Sequence, residues 1–430
     1  MSRSPSRPAR RAAWAAALLG LHAEAAAHPV NTYVLGPDDD WCAFIDEAWY
    51  GGDLILLEPG DYVGPCTIQG KPPQEDEETT TIQSLDTTRP VRFLHDGEAD
   101  HVLRITGQHV ALYHLVFEGV PEGVDAVRIE GTGARYWTRF NTFRDVAGTA
   151  VRVVGGQGAR VRDTRFEGVT GVPVVWGCPE GDCAVGDILF DGNLFVGASG
   201  SVVHPGAWGV VSHNIGADLA GPGLRYAGSG GPGLVEGNLL EGDDVLEVSG
   251  DGVLVRNNVL LGSARFDGAV DLLGNTLLGE VAPGIGRFDG NAVLGALPAE
   301  GQGNVACEAP DACWVDADAW DLRPAEGGPL VGAGVDLADL PVDFCGTERP
   351  SPPDAGAVQF TQGGQPLTLE LKSHQTCAGV LDDEPDTGDG PAVEASSCGC
   401  AHAATPASAW PLALGLAGAW RRRRRSSPRR

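Results

Sequence analysis

Between residues 102 and 291 the chain repeats a short unit, a strand-like run closed by glycine, without ever repeating it identically. Arg104-Ile105-Thr106-Gly107, Arg128-Ile129-Glu130-Gly131 and Arg152-Val153-Val154-Gly155 are the clearest copies. Val174-Val175-Trp176-Gly177, Val203-His204-Pro205-Gly206, Arg225-Tyr226-Ala227-Gly228, Glu247-Val248-Ser249-Gly250 and Arg265-Phe266-Asp267-Gly268 continue the series. The closing glycines lie 24, 24, 22, 29, 22, 22 and 18 residues apart. A period near two dozen residues is the mark of stacked, equivalent units. The units are β-branched and glycine-punctuated, with no stretch of helical periodicity long enough for a helix. A β-solenoid is therefore expected, gaining about 4.8 Å per coil.

A second ladder interleaves with the first: Asn141, Asp163, Asn193, Asn214, Asn238, Asn258, Asn275 and Asn291, each followed closely by an apolar residue. The residue two before each glycine is expected to point inward: Ile105, Ile129, Val153, Val175, Tyr226, Val248 and Phe266. By the same count His204 takes the inward slot of its coil. The flanking residues point out, because strand side chains alternate between faces. The amides are expected at the opposite bend, tolerating left-handed backbone and bonding to the coils above and below. Their role is structural.

These ladders resemble the right-handed parallel β-helix, the pectin-lyase-like family, over roughly residues 33–360. The resemblance implies an all-β fold with a capping helix at its first end. Asp38-Asp39-Asp40 followed by Trp41 to Trp49, apolar at helical spacing, reads as that helix. Gly52-Asp53, an apolar strand and Pro59-Gly60-Asp61-Tyr62 resemble the opening motif of such proteins. Ahead of them, residues 1–27 form an arginine-led, apolar segment ending in Ala25-Ala26-Ala27, a secretory signal with processing at Ala27. Residues 28–101 are then the cap and first coils, 102–300 the repeats, and 301–378 a C-terminal segment resembling the family's structural terminus.

Export places the 10 cysteines in an oxidising compartment. Local pairing is expected: Cys42 with Cys66, Cys178 with Cys183, Cys307 with Cys313 and Cys345 with Cys377. Zinc would need ligand spacings that these loops lack, so no metal site is expected. Residues 379–397 read as a flexible acidic stalk. Ser397-Cys398-Gly399-Cys400, an apolar run 403–420 and Arg421 to Arg425 follow in tripartite order. This resembles the myxobacterial C-terminal sorting signal, with Cys398 or Cys400 processed. A plain tail anchor is the alternative, and either reading puts 398–430 at the membrane.

The formal charge of −28 understates the exported body. Without the signal and the tail it falls to about −38, which excludes nucleic acid and anionic lipid as partners. Such a body also repels polyuronates unless calcium or a local basic stripe intervenes. A monomer is expected. The outward columns beside the glycine ladder supply the candidate glycan contacts: Arg128, Glu130, Arg152, Trp176, Arg225, Glu247 and Asp267. Arginine and tryptophan could hold a sugar by bidentate contact and stacking. The competing reading is that these charges solvate a sheet face and pair across coils. Catalytic signatures that the resemblance would bring are missing. There is no Gly-His-Gly, Asp243-Asp244 point opposite ways on one strand, and the only lysines are Lys71 and Lys372. No catalytic residue is assigned. A non-catalytic, surface-displayed glycan-binding or adhesive β-helix is expected, with a polysaccharide lyase or hydrolase as the alternative, calcium entering only with the lyase. Fold alone does not choose between them.

Overall fold

The computed structural model describes residues 31–368, apart from 49–51, 70–78, 108, 132–135, 181–182, 199, 220, 230, 283 and 361–365. The signal, Lys71, Cys377, the stalk and the tail with Cys398 and Cys400 lie outside the described residues. Among the described residues no helix is long and apolar enough to cross a membrane.

The chain winds as a right-handed parallel β-helix with three faces per coil. One coil runs through His101–Ile105 on face 1, Val110–Tyr113 on face 2 and Val116–Glu118 on face 3. Face 2 is a 13-stranded sheet, with twelve of its strands in line. Eleven steps at about 4.8 Å give a column of about 53 Å. Faces 1 and 3 join as one 19-stranded sheet. Two long strands, Leu239–Ser249 and Val259–Asp267, pass through the corner between them unbroken.

The helix Trp41–Ala48 covers the first end, its start capped by the Asp40 carboxylate, which accepts from the Ala43 N–H at 3.3 Å. Trp41 and Ile45 are buried there, and the Trp41 ring packs edge-on against Tyr62 and Phe93. Tyr62, from the Pro-Gly-x-Tyr turn, donates its hydroxyl to the carbonyls of Leu35 and Glu58 at 2.9 and 2.8 Å. Inside face 3 the rings of Tyr62, Phe93, Phe117, Phe143 and Phe166 stack at 5.0–5.6 Å.

The inward column of face 1 is Ile105, Ile129, Val153, Trp176, Val203, Tyr226, Val248 and Phe266, all buried. Two expectations fail here. Arg152 aligns with Val175 and Val153 with Trp176, so Val175 takes the outward place and Trp176 points into the core. In the next coil Val203 is inward and His204 lies outside, partly exposed. Glycine counting slips because Gly177 closes its strand one position earlier than Gly155, and a slip of one residue exchanges the faces.

The asparagines bind coil to coil as expected. Each of Asn193, Asn214, Asn238, Asn258, Asn275 and Asn291 donates its side-chain amide and its backbone N–H to the side-chain oxygen of the next, ending on Asn304, at 2.9–3.1 Å. The six are fully buried. The left-handed backbone belongs to the residue before each, at Phe140, Asp163, Gly192, His213, Gly237, Asn257, Gly274 and Gly290. Asp163 is therefore not a rung. Thr164 takes that place, its N–H donating to Asn193 Oδ1 at 3.0 Å.

Disulfides join Cys42 to Cys66, Cys178 to Cys183 and Cys307 to Cys313. Cys345 is also disulfide-bonded, its expected partner Cys377 lying outside the described residues. The C-terminal segment lies against the outside of face 3. Trp314, Trp320, Leu330 and Phe344 cover an outward apolar column of Leu194, Ile215, Leu239 and Val259.

Replacing Asn238 by Ala leaves the Asn214 amide groups without their acceptor in a dry interior, at a cost of about 3 kcal/mol. Urea unfolding is expected to show that loss, and a clearly smaller one for Asn304→Ala at the half-buried end of the ladder.

Candidate functional site

Strand alternation puts one outward column along face 1: Arg104, Arg128, Arg152, Val175, Val202, Arg225, Glu247 and Arg265 in successive coils. Glu130, His204 and Asp267 stand in the neighbouring outward column. The structure thus brings Arg128, Glu130, Arg152, Arg225, Glu247 and Asp267 onto one surface. Trp176 is removed from it, with none of its side chain exposed.

The arginines of this surface are held by carboxylates. Glu130 accepts from both Arg104 and Arg128. Asp100 reaches Arg128 at 3.2 Å, and Asp125 holds Arg152 at 2.9 Å. Arg225 pairs with Glu247 at 2.7 Å and Arg265 with Asp244 at 3.4 Å. Burial opposes the charge on Glu130, yet the hydrogen bond from Arg104 and the adjacent Arg128 outweigh it and hold the carboxyl below its usual range. The hydrogen bond from His101 does the same for Asp100. These acids are ionised partners at neutral pH, unlike a general acid, which needs a raised pKa.

The pairing pattern breaks in the middle. Between Arg152 and Arg225 the column is Val175 and Val202, so the two guanidinium positions are about 14 Å apart across an apolar floor. Gly177 and His204 continue this floor sideways, and the disulfide-joined Cys178 and Cys183 stand beside it, with Cys183 O 3.9 Å from where a Gly177 Cβ would be. Partial burial, helped by the charges of Arg152 and Arg225, holds the His204 imidazole below its ordinary value against the pull of Glu180. His204 is therefore neutral at pH 7. The arrangement can grip a ligand at two charged points and offer hydrogen bonds and an apolar patch between them.

Solved structures similar to this one include lyases. A pectate lyase, Pel9A, matches with a TM-score of 0.43 and 17% identity over 77% of this chain and 96% of its own. An alginate lyase from Paenibacillus sp. str. FPU-7 matches at 0.38 and 14% identity, over 59% of this chain and 96% of its own. A PL6 family alginate lyase, AlyGC, in a mutant form, gives 0.39 and 12%, over 64% of this chain and 53% of its own. The likeness is one of fold. No protein-family model and no curated protein matches the chain.

Two further features of the outer surface escape the glycine count. One is an aromatic and arginine cluster at the corner between faces 2 and 3, where Arg139 lies 4.5 Å over the Phe140 ring and Arg160 5.7 Å over Trp137. The other is the pair formed by His213 and the largely buried Asp191, 2.9 Å apart. Burial works against the Asp191 charge, but His213, Arg162 and Ser212 hold its carboxyl below the usual range.

Because the Glu130 carboxyl is lowered in the folded state, its contribution is complete above the unfolded value of about 4.3 and disappears as pH falls through the folded one. Urea midpoints taken from pH 6 to pH 3 should fall more steeply for the native protein than for Glu130→Gln.

Proposed function

We propose that this is an exported, surface-held β-helix that binds polysaccharide along face 1 without cleaving it. The observation carrying this reading is that each face 1 arginine is held by a carboxylate, which leaves a gripping surface of paired charges around the Val175 and Val202 floor. A long glycan laid along the axis would meet Arg152 at one end of the floor and Arg225 at the other, with His204 beside it. Arginine is a poor base. Asp343, whose carboxyl burial pushes up, lies in the C-terminal segment and accepts from the backbone N–H groups of Gln359, Thr347 and Cys345. The expected signal and sorting tail support surface display.

The test is a panel of neutral and acidic polysaccharides, with and without calcium, scored for binding and for unsaturated product by ultraviolet absorbance. Binding without product is expected, weakened about tenfold (about 1.4 kcal/mol) in the Arg152→Gln, Arg225→Gln double variant. Time-dependent formation of unsaturated or newly reducing ends would establish the lyase or hydrolase reading instead.

A further inference from the structure

The charges of face 1 cancel where they stand. Among the described residues its outward surface carries Arg104, Arg128, Arg152, Arg225 and Arg265, and each has a carboxylate partner. The partners are Glu130, Asp100, Asp125, Glu247 and Asp244, and Asp267 adds a sixth carboxylate in the column of Glu130. Val175 and Val202, between Arg152 and Arg225, bring no charge. His204 is neutral at pH 7, and Glu180 near it is a further acid. In the sequence the arginine column reads as a basic stripe. In the fold it is a row of closed pairs on a chain of formal charge −28. Such a surface offers a polyanion no positive field to follow.

The manner of pairing matters as much as the balance. A guanidinium grips a carboxylate best along one edge, through two parallel N–H groups. Arg104 commits the edge formed by Nε and Nη2 to Glu130, both donating to Oε2. Arg152 commits the same edge to its own coils: Nε donates to the Asp125 carboxylate at 2.9 Å and Nη2 to the Thr149 hydroxyl at 2.8 Å. Arg225 donates from Nε to Glu247 at 2.7 Å. An incoming uronate would have to displace a carboxylate already in place, exchanging one charge-assisted bond for another. A hydroxyl needs no such exchange. It can accept from an Nη group outside the pair and donate to the paired carboxylate. The Arg152 and Arg225 side chains are 30% and 47% exposed, so a ligand can reach both from outside.

We propose that face 1 selects neutral polysaccharide and rejects polyuronates, holding sugar hydroxyl groups on the Arg152–Asp125 and Arg225–Glu247 pairs. The inference rests on the reading of face 1 as a glycan-binding surface and names the class of glycan. Selection follows from difference: both classes offer hydroxyl groups, but only the uronate brings charge into a surface whose cations are already matched.

The experiment measures, by calorimetry at pH 7, binding of cellohexaose, mannohexaose, xylohexaose, hexagalacturonate and hexamannuronate to the native chain, with and without calcium and at low and physiological salt. At least one neutral hexasaccharide should bind about tenfold or more tightly than either uronate under every condition, with an affinity that salt changes by less than about twofold. Glu247→Gln, which releases Arg225 at an exposed pair, should strengthen hexagalacturonate binding about threefold at low salt. Unchanged uronate binding in that variant would overturn the proposal, because pairing would then not be what rejects the acid. A uronate bound as tightly as the best neutral probe, with or without calcium, would overturn it too. If that uronate binding is lost in the Arg152→Gln, Arg225→Gln double variant, face 1 stands as the glycan surface and only its selectivity falls. If no probe binds, or the double variant binds every probe as the native chain does, the reading of face 1 fails and the selectivity with it.

Discussion

The buried amide ladder is the interaction on which the rest of the structure depends. An asparagine in a dry interior has both donors and acceptor to satisfy, and only an identical group one coil away can do it repeatedly. From Asn214 to Asn304 each side-chain oxygen receives two N–H groups from the rung before it. That geometry exists only when successive coils stand in one register. Register in turn decides which side chains face out, because strand alternation leaves no intermediate choice. The arginine column of face 1 is therefore a consequence of amides on the opposite side of the coil.

Ahead of Asn193 the ladder is incomplete, and other packing takes over. Thr164 interrupts it, and Asn141 turns to Leu112 O and the Leu115 N–H. In these coils the stack of Phe93, Phe117, Phe143 and Phe166 inside face 3 keeps equivalent positions in line. The outer apolar column of face 3 is shielded by the C-terminal segment, whose Arg349 reaches back to Asn257 Oδ1 and Gly356 O. Face 1 presents the outward surface on which polysaccharide contact is proposed.

Much of this is legible in the sequence because the ladders are spaced by the fold itself. The β-helix, the capping helix, three of the local disulfides and the outward placement of six of the seven candidate face 1 residues follow from counting. The failures have a common physical origin. Counting back from glycine assumes that each strand ends at the same distance from its turn, and at Gly177 and Gly206 it does not. The count thereby gives Trp176 and His204 each other's side of the sheet. Asp163 reads as a rung because a short acid resembles an asparagine, although the rung is its neighbour Thr164. The aromatic corner escapes for a related reason. The informative position is the residue before each asparagine, and Phe140-Asn141 set beside Gly192-Asn193 or Gly237-Asn238 reveals the one strained member.

Backbone amide hydrogen exchange tests the central claim, that stacked amides fix the register, most directly. The N–H groups of Asn193, Asn214, Asn238, Asn258 and Asn275 are each bonded to a buried side-chain oxygen of the next coil. They should be among the slowest to exchange in the molecule, slower than those of the loop 119–124, and should become labile together. Exchange at those positions as fast as in the loop, or at unrelated rates from coil to coil, would contradict the account.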